Sequence, residues 1–254
     1  MWNDAQKWQS VRSCFREISR GLLCFAIFAC APQTGSFTSE CVVNSDQTGT
    51  LKGHWAFHPI PLAVQAVDFS PAELAMLQSA IDSWNSFFKE SKGFALFLSG
   101  SSSLDVVSSG GARPTSRTIC GTQAVNTKGF TRQLMIYKVN SGWSYGSSVI
   151  GLTSNCPSRT ANAAYPSFYG GMMEINFQNF FNVGQKVPDL QSIVLHELGH
   201  LLGVDHSCSG NACASAPESY YEAVMYPSAG FNGNEGIAKR VIQLNDQQRA
   251  NCLY

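Results

Sequence analysis

The spacing of three histidines near the C-terminal end of the sequence constrains the fold more than any other feature. His196, His200 and His206 lie within eleven residues that read H-E-x-x-H-x-x-G-x-x-H. Residues four apart share one face of an α-helix, so the first two imidazoles can point at a common ion. Gly203 can adopt the left-handed conformation that ends a helix, and the turned chain then returns His206 as a third ligand. The pattern predicts a helix, a sharp turn and a metal site between them.

The ligand set indicates a catalytic zinc ion. Three protein ligands leave the fourth position open for water, whereas structural zinc sites are usually closed by four ligands, mostly cysteine. Glu197 follows the first histidine. Beside the metal, its carboxylate could take a proton from a zinc-bound water and pass it to a leaving amine. The sequence therefore predicts a metallopeptidase with Glu197 as its general base.

Residues around the motif resemble the metzincin clan of zinc peptidases and, within it, the matrixins. Met225, in the sequence Val-Met-Tyr-Pro, resembles the Met-turn of the clan, a loop that supports the metal site from below. Ser207, directly after the third histidine, and the Tyr-Pro pair after the methionine are similar to the matrixin branch. The chain from Leu244 to Tyr254 resembles the last helix of a matrixin catalytic domain. The resemblance implies a zinc-dependent endopeptidase, and the N-terminal region described below would place its protein substrates outside the cytoplasm.

The resemblance also implies an α+β fold of the metzincin, or zincin-like, type. A twisted five-stranded mixed sheet with long helices would lie above the zinc-site helix, and a small C-terminal subdomain would carry a final helix. The local pattern adds a capping box from Ser70 to Glu73 that begins a long helix, and a surface loop over residues 99–109. Strands are expected at residues 60–69, 94–98, 133–139, 148–153 and 171–178.

Three further expectations concern the substrate cleft. Residues 171–178 would border the cleft, where the free edge of the strand could pair with an extended peptide; the alternative is an edge strand without a substrate role. Residues 228–243 would wall the pocket for the side chain that follows the scissile bond. Pro227 stands where some related families have an oxyanion-supporting tyrosine, so zinc and a backbone N–H are expected to stabilise the oxyanion.

The sequence departs from vertebrate matrixins in its metal ligands. Its five histidines are the three described above, His54 and His58, which form no second cluster from which a structural zinc site could be built. Between residues 94 and 188 the only acidic residues are Asp105 and Glu174, whereas calcium sites usually draw on several carboxylates. We expect one catalytic zinc ion and no obligatory calcium.

The N-terminal region resembles an export signal. Basic residues precede an apolar run at residues 21–29 that is too short to cross a bilayer as a helix. Residues 27–30 resemble a bacterial lipobox, which makes Cys30 the expected site of lipid attachment, with plain secretion as the alternative. The expected order is a signal peptide at residues 1–29, a tether at 30–53 and a catalytic domain at 54–254. The protein would be exported and anchored to the bacterial envelope or cell surface.

The cysteines agree with export. Cys14 and Cys24 lie in the predicted leader and Cys30 would carry the lipid, which leaves six of nine cysteines. An even number in an exported chain suggests three disulfides, with buried free thiols as the alternative. The most favoured bridge joins Cys208 to Cys213 in a loop inserted before the Met-turn. Cys120 with Cys156 would form the second pair, and the third, Cys41 with Cys252, rests on fold resemblance alone.

The charge of the chain and the chemistry of the site limit which other functions are possible. The chain has 17 basic and 17 acidic residues, and this balance argues against nucleic-acid binding, which needs a concentrated basic surface. A protein or peptide substrate and a monomeric state are expected. One alternative is a non-catalytic, zinc-containing surface protein, although such a binder needs no carboxylate like that of Glu197 beside an open metal site. Another alternative is a peptidase restricted to small peptides. The length of the cleft decides whether small peptides or proteins are the substrates.

Overall fold

The computed structural model describes residues 37–65, 68–98, 104–107, 113, 120, 134–158 and 164–254. Its centre is a mixed sheet whose strand order is β1-β6-β4-β2-β3, with β5 paired to β6. Every pairing is parallel except that of β5 with β6. The predicted mixed sheet is confirmed, and the two-residue β1 adds a sixth strand. The strands are β1 (His54–Trp55), β2 (Leu62–Gln65), β3 (Asp105–Val107), β4 (Leu134–Val139), β5 (Gly151–Pro157) and β6 (Ser167–Asn176).

Two long helices pack together on one face of the sheet. The first, α1 (Pro71–Lys92), begins at the predicted capping box, in which the Ser70 hydroxyl accepts from the backbone of Glu73 and the Glu73 carboxylate accepts from the backbone of Ser70. The second, α2 (Leu190–Leu202), carries the histidine motif. Buried side chains between the helices and the sheet form the main core, and a smaller apolar cluster lies apart from it. This arrangement confirms the predicted α+β class.

The C-terminal part consists of short elements after α2. They include the helix that was expected to close the chain, here α4. These elements are a 3₁₀ helix (Gly210–Ser215), α3 (Glu218–Glu222), a hairpin of β7 (Phe231–Asn232) and β8 (Glu235–Gly236), and α4 (Leu244–Ala250). Within the described residues, no helix combines the length and the apolar character needed to cross a membrane.

Several strand boundaries differ from those expected. Residues 94–98 form no strand, and only Phe97 makes a β-bridge, to Ile60. The reason is local: the side-chain amide of Asn85 donates to the Phe97 carbonyl and accepts from its N–H, which takes the place of a strand partner. The expected surface loop at 99–109 contains β3, which pairs with β2. The serine-rich sequence around β3 gave no indication of a strand. The strand expected at 148–153 begins at Gly151 and continues to Pro157.

The expected cleft-edge strand at residues 171–178 lies inside the sheet. Strand β6 pairs with β4 on one side and with β5 on the other, so it has no free edge there. Within the described residues, β5 pairs only with β6. The prediction was wrong about which strand has the free edge: it is β5, the neighbour of β6. The residue pattern of β6 does not show that this strand lies between two partners.

The segment expected to be a tether is folded from Phe37 onward. Residues 37–254 form one compact unit. Gln47, in a 3₁₀ helix (Ser45–Thr50), is 1% exposed, and Leu51 makes a β-bridge to Val204 beside the histidine motif. Polar composition suggested a free linker here, but this segment is held largely by hydrogen bonds such as that from the Gln47 amide to the Ser207 carbonyl. The expected signal peptide and Cys30 lie outside the described residues.

All three expected disulfides are present. Cys41 is bonded to Cys252, Cys120 to Cys156 and Cys208 to Cys213. The first bridge fastens the N-terminal segment to the residues just after α4. The third closes the short loop that follows the last histidine.

Because a crosslink restricts the unfolded chain more when it closes a longer loop, the first bridge should stabilise the fold more than the third. Their partners are 211 and 5 positions apart, respectively. Replacing Cys41 and Cys252 by serine should lower the free energy of unfolding by about 5 kcal/mol, and the matched Cys208/Cys213 double variant by about 2 kcal/mol. Denaturant unfolding of the two variants measures both values, and equal losses would contradict the loop-length argument.

Candidate metal centre

Helix α2 begins after an N-terminal capping residue and ends at a glycine in the left-handed conformation. The Asp189 carboxylate caps the N-terminus by accepting from the backbone N–H of Ser192 at 2.9 Å. Gly203 ends the helix with a φ of 113°, in the left-handed region. A Cβ there would lie 1.9 Å from the carbonyl oxygen of Gly53, so a side chain has no room. The chain therefore reverses at Gly203 and brings the next residues back past the helix.

This reversal places His206 beside His196 and His200. One ligand atom from each of the three lies within 4.8 Å of the others, and the Nε2 atoms of His200 and His206 are 3.2 Å apart. The Nδ1 atoms of His196 and His200 lie 2.7 Å and 3.0 Å from the carbonyl oxygens of Val224 and Val204. A carbonyl accepts only from a protonated nitrogen, so each Nδ1 holds the proton and each Nε2 keeps its lone pair.

The donor set fits a zinc ion. Burial lowers the pKa of His196 well below its ordinary value and that of His200 to about 4, which favours the neutral imidazole that binds metal. Three imidazoles leave one position of a tetrahedral zinc for water or substrate. Within the part of the chain that the structure describes, no other group of three histidine, cysteine or carboxylate side chains converges in this way. The three expected histidines thus form a group that fits a zinc ion.

The loop that carries His206 is held from two directions. The N-terminal segment contributes the Thr50 carbonyl, which accepts from the Asp205 N–H at 2.7 Å, and Lys52, whose Nζ is 3.1 Å from the Asp205 carboxylate. Helix α4 contributes Arg249, whose guanidinium is fully buried and donates to the Asp205 carbonyl at 2.7 Å. The third ligand therefore depends on contacts from both ends of the catalytic unit.

Met225 packs against α2 at Gly199, the residue before His200. A Cβ on Gly199 would be 2.2 Å from the Met225 sulfur, so the methionine packs against bare helix backbone. Its own loop is held by Asp246, whose carboxylate accepts from the N–H groups of Val224 and Met225 at 2.8 Å and 3.1 Å. Met225 is fully buried and occupies the supporting position expected for the Met-turn.

Glu197 is a carboxylate that is 5% exposed, and it contacts strand β5. The Thr153 hydroxyl donates to its Oε2 at 2.7 Å. Gly151 leaves the space that Oε1 occupies, because a Cβ there would lie 2.6 Å from that atom. Burial raises the pKa of Glu197 to about 7, while the hydrogen bond from Thr153 acts in the opposite direction. A carboxyl group with this pKa can both accept and return a proton near neutral pH.

A cleft passes over the three histidines and Glu197. Strand β5 and the residues just before it form one wall, and the chain after Met225 forms another. The expected wall at residues 228–243 contributes six lining residues: Ser228, Ala229, Gly230, Phe231, Ile237 and Lys239. Pro227 also lines the cleft.

Four residues important to this site were missed from the sequence. Thr153 and Gly151 contact Glu197, but only the position of these two residues on β5 could have indicated this contact. Asp246 and Arg249 are oppositely charged and three residues apart in a helix. This spacing usually indicates an ion pair on the solvent-exposed surface. Both are fully buried. The sequence around them carries no signal of this burial, because it depends on contacts with segments far away in the chain.

Comparison with protein families gives a match over residues 147–253, to the family model described as Matrixin. The matched stretch contains β5, all three histidines, Met225 and α4. Over these residues the chain is similar to the matrixin branch of the metzincins. Together with the converging histidines, this makes the protein a zinc metallopeptidase.

Comparisons with solved structures and with curated sequences give no further evidence on the family. Among solved structures, the chain is similar to high choriolytic enzyme 1, a hatching enzyme zinc-protease from the medaka fish Oryzias latipes, at 12% identity over 84% of this chain and 98% of that chain. The TM-score is 0.33, so no argument rests on that likeness. Comparison with curated protein sequences gives no match.

Replacing Asp246 by asparagine should destabilise the matrixin-like unit by about 3–5 kcal/mol, because it leaves the buried Arg249 charge uncompensated. The matched control is Asp82→Asn, since Asp82 is exposed and accepts only a side-chain hydrogen bond from Gln78. The control should lose less than about 1 kcal/mol. Urea unfolding at neutral pH compares the two, and similar small losses would show that α4 does not depend on the ion pair.

Proposed function

We propose that this metallopeptidase is an endopeptidase that cleaves proteins outside the cytoplasm, with Glu197 as its general base. The observation that carries the proposal is the position of the Glu197 carboxylate. It lies next to the ligand His196, lines the cleft and is held by a neutral hydroxyl instead of a cation. A carboxylate in this place is free to exchange a proton with a reacting group.

Each residue of the site has a distinct task. The three histidines would hold the zinc ion, which when bound supplies Lewis-acid activation of water and of the scissile carbonyl. Glu197 takes the proton from the attacking water and delivers it to the leaving amine. Thr153 fixes the carboxylate through Oε2, and Gly151 leaves room for Oε1. Met225 holds the helix from below, so the ligands keep their positions during the reaction.

Strand β5 is the proposed platform for an extended substrate. It lines the cleft and pairs only with β6 among the described residues, so its other edge can add a peptide strand. Lining residues continue past the histidines in both directions, to Pro157 and Phe168 on one side and to Phe231 and Ile237 on the other. A cleft with walls on both sides of the metal suits a peptide that extends beyond the scissile bond in both directions, which favours protein substrates over small peptides.

Export and lipid attachment at Cys30 belong to the same proposal. Three disulfides support an oxidising compartment, since such bonds are rare in a reducing cytosol. We propose a monomer anchored through its N-terminal lipid. We further propose that calcium is not obligatory. Of the two acidic residues between positions 94 and 188, Glu174 is 2% exposed and already binds Arg113 at 2.7 Å and the Tyr145 hydroxyl at 2.8 Å.

Replacing Glu197 by glutamine should lower kcat for peptide hydrolysis by about 10³-fold, because the amide cannot accept the proton. Bound zinc should remain at one ion per chain, as elemental analysis would show, because Glu197 is not a ligand. His200→Ala is the contrasting variant and should lose both zinc and activity. Turnover by the glutamine variant close to that of the wild type would rule out the general-base role. Wild-type protein that binds zinc but cleaves no peptide would favour the non-catalytic binder.

Replacing Gly151 by alanine should displace Glu197 without touching a ligand. The new Cβ would lie 2.6 Å from Oε1 and 2.8 Å from Cγ of Glu197, so the carboxylate must move. We expect kcat/KM to fall by about 100-fold with zinc content unchanged. Gly170→Ala is the matched control on β6, where the new Cβ would meet Cys156 at an ordinary 3.6 Å. If both variants have the same activity, the position of Glu197 against β5 does not matter for catalysis.

A further inference from the structure

The cleft contains a half-buried cation to which no described residue supplies a carboxylate partner. Lys239 lines the wall that follows the Met-turn, and its backbone N–H donates to the Ser192 hydroxyl at 2.7 Å, one turn before His196. Its ammonium donates to the carbonyl of Tyr221 and lies 4.8 Å from the ring centroid of Tyr226. A carbonyl and an aromatic face are neutral partners, so they compensate the positive charge only in part.

Two other shielded cations are paired with carboxylates. In the described part of the chain, the Lys138 ammonium lies 2.8 Å from the Glu73 carboxylate, and the Arg113 guanidinium lies 2.7 Å from that of Glu174. Lys239 takes part in no ion pair there. Burial lowers the pKa of Lys239, while the more distant charges of Asp246 and Glu222 raise it.

Asp246 cannot move to Lys239 without leaving its own partners. Its carboxylate accepts from the N–H groups of Val224, Met225 and Gln243, and it pairs with Arg249. Glu222 is exposed, so water screens its effect on the ammonium. Neither residue therefore supplies the missing direct contact.

The acidic residues that line the cleft are also occupied. Asp189 forms an ion pair with Arg240, and Asp205 lies 3.1 Å from the Lys52 ammonium. Glu197 accepts from Thr153 and has the proposed catalytic task. Another lysine, Lys186, lines the same wall and lies over the ring of Phe231 at 4.6 Å. Among the described residues, no carboxylate pairs with either of these two lysines of the cleft.

We propose that this pocket selects a peptide with an acidic side chain next to the scissile bond, and that Lys239 is the specificity-determining residue. The inference rests on the proposed peptidase function and names its substrate class. Apolar lining residues, among them Ile193, Val224 and Ile237, would pack against the methylenes of a glutamate side chain. Its carboxylate would then form a charge-assisted hydrogen bond to the ammonium in a partly desolvated site.

The test compares peptides that differ only in glutamate, glutamine or leucine at the position next to the cleaved bond. The full chain loaded with zinc should cleave the glutamate peptide with a kcat/KM about tenfold above that of the glutamine peptide. Mass spectrometry of the products shows on which side of the bond the selected residue lies. Wild-type preference for leucine or glutamine over glutamate would overturn the proposal.

Lys239→Met should bring the glutamate-to-glutamine ratio to about one, and Lys239→Arg, which keeps the charge, should retain a preference for glutamate. Lys92→Met is the matched control. Lys92 is also partly buried and donates to a carbonyl, that of Asn251, but it does not line the cleft. The control should keep the wild-type ratio. An unchanged ratio in Lys239→Met would assign the selection to other residues and overturn the proposal.

A binding measurement separates this proposal from the catalytic one. In the Glu197→Gln variant, calorimetry should give a dissociation constant for the uncleaved glutamate peptide about tenfold below that for the glutamine peptide. Adding Lys239→Met should abolish the difference. If the wild type cleaves none of the peptides, the peptidase proposal fails, while the ratio of dissociation constants still decides whether the pocket selects acidic side chains. Equal dissociation constants would overturn the pocket's selectivity even where zinc-dependent cleavage is observed.

Discussion

The buried ion pair of Asp246 and Arg249 is the interaction on which the metal centre depends. Both side chains are fully buried on α4, and their spare hydrogen-bonding atoms are directed at the two loops around the histidines. Asp246 accepts from the backbone of Met225, and Arg249 donates to the carbonyl groups of Asp205 and His206. Burying such a pair is costly unless its remaining hydrogen-bonding atoms are satisfied. Here backbone groups of the site satisfy them, so a short helix fixes both the Met-turn and the third ligand.

The two ends of the catalytic unit converge on this helix. The disulfide from Cys41 to Cys252 holds the N-terminal segment just after α4, and the same segment continues to the loop of His206. Gln47 lies between them, with its amide bonded to the Ser207 carbonyl and to Asn245 of α4. The segment is therefore part of the support of the metal site. Its polar composition is consistent with this role, since much of what it supplies is hydrogen bonds to backbone groups.

The sequence predicted the parts of the site that follow from local geometry. The spacing of the three histidines needs only the helical repeat and the left-handed turn at Gly203, and both are present. The strand that borders the cleft was assigned to residues 171–178, but β6 is paired on both sides and β5 forms the wall instead. Which strand has a free edge depends on pairing between segments far apart in the chain. The same limit hid Thr153 and Asp246, whose importance comes entirely from long-range contacts.

The charged groups on the two walls of the cleft have different partners, and this difference fits the two tasks proposed for them. Against β5, Glu197 is held by a hydroxyl and lies close to Gly151, and no lysine or arginine among the described residues pairs with its carboxylate. Across the cleft, Lys239 contacts a carbonyl and an aromatic ring, so no protein carboxylate fully compensates it. A buried carboxylate that has no cationic side-chain partner takes up a proton near neutral pH more readily than a paired one. A half-buried ammonium that has no carboxylate partner can take one from a charged substrate.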